Sequence, residues 1–72
     1  MSESKTRNFI RARLIERGTN LDAWARSRGF KERSVSTIIT RYIGSDSKPP
    51  EGSISREIID ALEADTGVRI CG

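Results

Sequence analysis

Between Gly29 and Gly44, the residues Val35, Ile38, Ile39, Tyr42 and Ile43 fall at i, i+3, i+4, i+7 and i+8. That period gathers five apolar side chains along one side of a helix. Three isoleucines and a valine are β-branched and would suit a strand, but the 3.6-residue spacing decides for helix. Such a stripe has to be covered, and 72 residues hold material for one small domain to cover it. Leu, Ile, Val and Phe supply 16 of them, just above the level of about 20% below which disorder is expected. A single domain of packed helices spanning 1–72 follows.

Glycine punctuates the other helical segments in the same way. A first helix is expected over about 7–17, opening near Thr6 and stopping at Gly18 after Arg17. Ile10 and Leu14 lie four apart on its buried side, and Phe9 and Ile15 widen that stripe. Thr19-Asn20-Leu21-Asp22 is a Thr-x-x-Asp start, with Thr19 as cap and Asp22 answering it. The helix that follows, about 20–28, places Leu21, Trp24 and Ala25 at i, i+3 and i+4 and ends at Gly29. The striped helix then covers 32–43. Residues 44–53 are turn chemistry throughout, read as a flexible loop. A fourth helix over 54–65 buries Ile54, Ile58, Ala61 and Leu62 and turns Glu57, Asp60 and Glu63 to solvent, and 67–72 form a short tail. The architecture expected is all-α, with four helices.

The side-chain inventory argues against catalysis. There is no histidine, and Cys71 is the one cysteine, which removes imidazole bases, His/Cys zinc sites and a disulfide framework. Three carboxylates on an exposed helix side are read as a solvated face. The expectation is therefore a non-enzyme with no catalytic residue, no metal and no cofactor. Cys71 is expected as a free thiol or in an adventitious intermolecular disulfide. Met1-Ser2-Glu3-Ser4-Lys5 lacks the apolar core of a signal peptide, and no apolar run is long enough for a membrane span, so a cytoplasmic location is expected.

The net charge of +3 is unevenly placed. Residues 1–44 carry ten cationic side chains against four carboxylates, and residues 45–72 carry three against six. A basic body with an acidic end suits a polyanion partner, and equally suits a merely solvated surface.

A more specific pattern breaks that tie. Two short helices separated by about three residues, with glycine at the turn, have the form of a helix-turn-helix. Its demands can be met one position at a time. Ala25 is small where the helices approach, and Gly29, four residues on, supplies φ > 0. Phe30 buries next, Val35 and Ile38 point back at the first helix, and Leu21 and Trp24 complete the shared core. This spacing resembles the lambda-repressor-like DNA-binding superfamily. Arg28 departs from it, standing where an apolar residue is usual, and its stem can pack while its guanidinium reaches solvent or phosphate.

A closer resemblance is to the small phage and prophage helix-turn-helix regulators of the Ner type. Leu21 to Gly44 aligns with that family's motif without gaps, with Leu21, Ala23, Arg26, Gly29 and Arg41 at matching positions. Ile58-Ile59-Asp60-Ala61-Leu62-Glu63 resembles its Ile-Ile-x-Ala-Leu-Glu helix. The likeness covers about residues 7–65. The loop at 45–53 is longer here, and Arg69-Ile70-Cys71-Gly72 replaces the Trp-Pro-Ser-Arg-Tyr tail typical of the family. The resemblance implies a sequence-specific regulator of transcription that binds double-stranded DNA.

With the third helix in the major groove, its outward residues meet base edges. Arg33 suits guanine, and Ser36, Thr37 and Thr40 permit close approach with short polar groups. Lys31 and Arg41 at the helix ends, Thr19 and Asn20 at the start of the helix before, and Arg28 at the turn are assigned to phosphates. Glu32 is read as a helix-dipole partner rather than a cytosine acceptor. Trp24 and Tyr42 lie on core stripes and are read as core, not as stacking platforms. The helix 1 arginines, Arg7, Arg11, Arg13 and Arg17, serve either phosphates or solubility. So small a module makes few base contacts, so a homodimer or paired monomers on adjacent half-sites are expected. The rival reading is a protein-interaction module of the same fold that reads no DNA and docks an acidic partner on residues 1–44.

Overall fold

A computed structural model describes residues 2–72 of the chain, with side chains described from Lys5 onward. The charge of Glu3 counted above lies outside the described side chains. Four helices and no strand occur among the described residues: α1 (Ser2–Glu16), α2 (Leu21–Ser27), α3 (Glu32–Tyr42) and α4 (Ile54–Thr66). The all-α architecture expected from the sequence is what forms.

The helices pack in a cycle. α2 lies on α3, α3 on α4, α4 on α1 and α1 on α2, whereas no Cα of α1 comes within 8 Å of α3, nor any of α2 within 8 Å of α4. The centre is filled by Ile10 and Leu14 from α1, Trp24 and Ala25 from α2, Val35, Ile38 and Ile39 from α3, and Ile58, Ile59 and Leu62 from α4. Full burial of a side chain such as Leu14 or Ile59 contributes about 1.5–3 kcal/mol. No buried side-chain nitrogen or oxygen among the described residues lacks a hydrogen-bond partner.

Two apolar expectations fail in an instructive way. Phe9 and Ile15 on α1 are 57% and 62% exposed, because only the Ile10–Leu14 edge of α1 meets α2 and α4. Ile54 is likewise exposed, since the first turn of α4 overhangs the core, and Ile59 takes its place in the buried stripe.

The α2 start is shifted by one residue from the expected cap. Asn20, not Thr19, is the N-cap, its Oδ1 accepting from the Ala23 N–H at 2.9 Å, while the Thr19 hydroxyl donates to the Asn20 carbonyl at 3.4 Å. The end of α2 is a Schellman closure: Phe30 N–H donates to the Ala25 carbonyl at 2.9 Å and Gly29 N–H to Arg26 at 3.1 Å. That closure needs a left-handed residue, and Gly29 has φ 81°.

Loop and tail are less independent than their composition suggests. Pro49 is fully buried, and Ile70 and Cys71 belong to the core. Gly44 N–H donates to the Ile70 carbonyl at 3.0 Å and Gly72 N–H to Ser45 at 2.9 Å, so the tail lies along the exit of α3. Glu63, expected at the solvent face, turns inward to hold it. Its Oε2 accepts from Ile70 N–H at 2.8 Å and Cys71 N–H at 3.4 Å, and its Oε1 from Lys48 Nζ at 3.1 Å. Cys71 is therefore a free but buried thiol, and burial, with the Glu63 charge second, pushes its pKa up.

Candidate nucleic-acid interface

The helical period that buries Val35, Ile38 and Ile39 turns Arg33, Ser36, Thr37 and Thr40 outward, with Arg41 beside them. All five are exposed. The side chains of Arg33 and Arg41 make no hydrogen bond or ion pair to any described residue, and the same holds for the side chain of Lys31, which stands at the N-cap of α3 without a side-chain capping bond. Glu32 is the one carboxylate on α3, and it is engaged by Arg26 of α2 at 3.3 Å. The outer side of the helix is thus cationic with short hydroxyl groups between the charges.

The apolar residues from Leu21 to Ile38 pack together between α2 and α3. Trp24, Ala25, Val35 and Ile38 are buried, Leu21 and Phe30 pack partly against them, and Gly29 lies exposed in the turn. The Trp24 and Phe30 ring centroids are 5.9 Å apart with the planes tilted by 40°, a contact that joins the turn to α2. Tyr42 is partly buried on the same core, in agreement with its reading as core.

Among the residues assigned to phosphates, the positions diverge. Lys31 and Arg41 flank the exposed face, one at each end of α3. Asn20 spends its Oδ1 on the cap and keeps both amide donors, and Thr19 is half-buried with its hydroxyl turned to Asn20. Arg28 is committed elsewhere. Its guanidinium pairs with the Asp65 carboxylate of α4 and lies 5.9 Å from the Trp24 ring centroid. The polar residue in an apolar slot has its counter-charge inside the protein, and this draws it away from the assigned phosphate role.

Asp65 was invisible in the sequence as a structural node. It accepts from Trp24 Nε1 at 2.7 Å and from Arg28, while Arg17 donates to its backbone carbonyl at 2.8 Å. These contacts span α2 and α4 where the two backbones do not meet. The Trp24 hydrogen bond holds the Asp65 carboxyl below its usual range; burial opposes this, and Arg28 and Arg17 add to it. No local pattern marks Asp65, because its partners are distant in sequence.

The other open diagonal, between α1 and α3, is bridged by Arg7, whose guanidinium donates to Thr40 Oγ1. Beneath that bridge lies a groove of about 530 Å³, with Arg7, Arg11, Asn20 and Ser36 among its polar lining and Ile10 and Ile39 among its apolar lining. Thr40 therefore meets α1 as well as solvent, a pairing across 33 residues that sequence spacing could not signal.

Glu51, Asp60 and Glu63 of the acidic C-terminal segment are paired within it. Arg56 meets Asp60 at 3.0 Å and Glu51 at 3.9 Å, and Lys48 meets Glu63 and Asp60. No cluster of metal-ligating side chains occurs among the described residues. No helix among them is long and apolar enough to cross a membrane. No protein-family model matches the chain, nor does any curated protein or solved structure.

Proposed function

We propose that the chain binds double-stranded DNA sequence-specifically, with α3 in the major groove, as a small transcriptional regulator of the phage or prophage helix-turn-helix kind. In this reading α2 and α3 are a lambda-repressor-like helix-turn-helix. The observation that carries it is the outer side of α3, where Arg33, Ser36, Thr37, Thr40 and Arg41 are exposed and the one carboxylate, Glu32, is neutralised by Arg26. A helix of 11 residues presenting arginine and short hydroxyls together is shaped to enter a groove that admits one α-helix. Arg33 reads guanine, the hydroxyls follow base edges, and Lys31 and Arg41 hold phosphates on either side.

Pairing on adjacent half-sites is part of this reading. The molecule measures 30 × 29 × 19 Å, so two copies fit side by side on half-sites roughly 34–36 Å apart, one turn of the duplex. The output is occlusion or positioning at a promoter.

The test is titration of the protein against a labelled duplex, selected from a random pool, in the presence of excess random competitor at two salt concentrations. Specific binding survives competitor. Arg33→Ala relaxes preference at one base position, at about 1–3 kcal/mol of discrimination, whereas Lys31→Ala weakens all sequences alike. Absence of duplex binding at low salt refutes the reading and leaves the protein-interaction module in its place.

A further inference from the structure

Arg7, Arg11 and Arg13 of α1 and Arg17 just past its end are chemically alike in sequence, but the fold separates them into two pairs. Arg13 lies 3.8 Å from Glu16 on its own helix, and Arg17 donates to the Asp65 carbonyl at the far end of α4. Both are occupied, on the side away from α3. Arg7 and Arg11, one helical turn apart, instead line the groove between α1 and α3. Arg7 uses part of its guanidinium on Thr40, at the C-terminal end of the face assigned to base edges, and has further N–H donors to offer. Arg11 makes no hydrogen bond or ion pair with any described residue. Across the groove stand Ser36 and the amide of Asn20, both exposed. Asp22 is the one carboxylate among the lining residues.

We infer that Arg7 and Arg11, with Ser36 and Asn20 opposite, form a subsite for a phosphate of the DNA backbone, which makes α1 a second DNA-contacting helix. This rests on the reading of α3 as the groove helix. The two guanidinium groups stand beside that helix where a strand bordering the major groove would run. Two planar cations on one side and hydroxyl and amide donors on the other suit a phosphodiester, which offers two free oxygens and one charge. The Arg7–Thr40 bond fixes the first guanidinium against α3, so the subsite and the base-reading face move as one body. Asp22 at the rim limits the net positive charge.

The experiment is the salt dependence of binding to the selected duplex by the full-length chain. Each phosphate contact contributes about 0.9 to the slope of log K against log salt. Arg11→Gln is expected to reduce the magnitude of the slope by up to about 0.9, the contribution of one phosphate, equally on selected and random duplex, and Arg11→Lys to restore it. Arg13→Gln, whose partner is Glu16, is expected to leave the slope at the wild-type value, and Asp22→Asn to tighten binding several-fold. All four positions are exposed, and unchanged helical circular dichroism confirms that the variants fold. A wild-type slope in both Arg11→Gln and Arg7→Gln overturns the subsite while the α3 reading stands. Failure of the wild type to bind duplex at all overturns that reading, and the subsite with it.

Discussion

The indole of Trp24 donates its Nε1 proton to Asp65 Oδ2 at 2.7 Å, joining α2 to α4 across a diagonal where their backbones do not touch. One carboxylate thereby satisfies a largely buried indole, neutralises Arg28 and stands next to Arg17. The helix that carries Arg33 and Arg41 packs on both α2 and α4, so the orientation of α2 against α4 bears on the geometry of the whole α2–turn–α3 unit.

Acid sensitivity follows from that carboxylate. Asp65 has a folded-state pKa below its ordinary value, chiefly through the Trp24 hydrogen bond. A depressed carboxyl pKa contributes stability that is complete above the unfolded-state value and lost as pH falls through the folded-state value. Urea unfolding is expected to give level stability down to about pH 5 and a decline below about pH 4. Asp65→Asn is expected to be less stable at neutral pH and to show a shallower acid decline. Asp65→Ala, which leaves the indole N–H unpaired, is expected to lose about 1–3 kcal/mol. An acid decline in Asp65→Asn as steep as in the wild type would assign that sensitivity to other carboxylates.

The turn before α3 depends on backbone conformation rather than on space. Gly29 has φ 81°, and a Cβ built there meets nothing within 4 Å. Gly29→Ala is therefore expected to cost about 1–2 kcal/mol, the penalty of a left-handed L-residue, with no packing contribution. Gly29→Asn is expected to cost less, because asparagine tolerates that region better. Chemical denaturation of both variants checks the order, and a loss from alanine well above this range would mean that the added methyl group does collide.

The legible parts of this fold were those written in local spacing. The α3 stripe, the glycine that closes α2, and the motif core from Leu21 to Ile38 were all fixed by residues within one or two helical turns of each other. The ends of α3 at Tyr42 and α4 at Thr66 each fall one residue from expectation, whereas α1 opens at Ser2 rather than near Thr6. What escaped were contacts between residues far apart in the chain. Arg7 with Thr40, Trp24 with Asp65, and Glu63 with the N–H groups of the tail all join elements whose order in sequence implies nothing about their approach. Glu63 misled for a physical reason. Its position on α4 is solvent-facing by period, but the returning tail covers that side and brings N–H donors that the carboxylate accepts.

That tail makes its own prediction. Cys71 is 3% exposed, and burial raises the pKa of its thiol, so little thiolate exists near neutral pH and little of it is reachable. Labelling by a water-soluble disulfide reagent is expected to be slow in the native protein and rapid in urea. Glu63→Ala frees the Ile70 and Cys71 N–H groups and is expected to speed native labelling by an order of magnitude or so, a rate set by local opening of the tail. Equal rates in native and denatured protein would show that the tail is not seated.

Glu32 separates two roles for an acidic residue at the base of the proposed reading helix. Its carboxylate lies 3.3 Å from Arg26, in the first turn of α3, with its side chain 40% exposed. As a partner for Arg26 and the helix N-terminus, it contributes only a few tenths of a kcal/mol to stability, since exposed pairs are screened by water and salt. Glu32→Gln is accordingly expected to shift thermal unfolding by no more than a degree or two. Removing a negative charge from a surface that faces phosphate is expected to raise DNA affinity several-fold on every sequence, because it adds to the field without adding a base contact. If Glu32 instead accepts a hydrogen bond from cytosine N4, the same substitution alters preference at a single base-pair position and weakens the selected duplex. Binding of Glu32→Gln to a panel of single-position duplex variants distinguishes the two, and a uniform gain is the expected result.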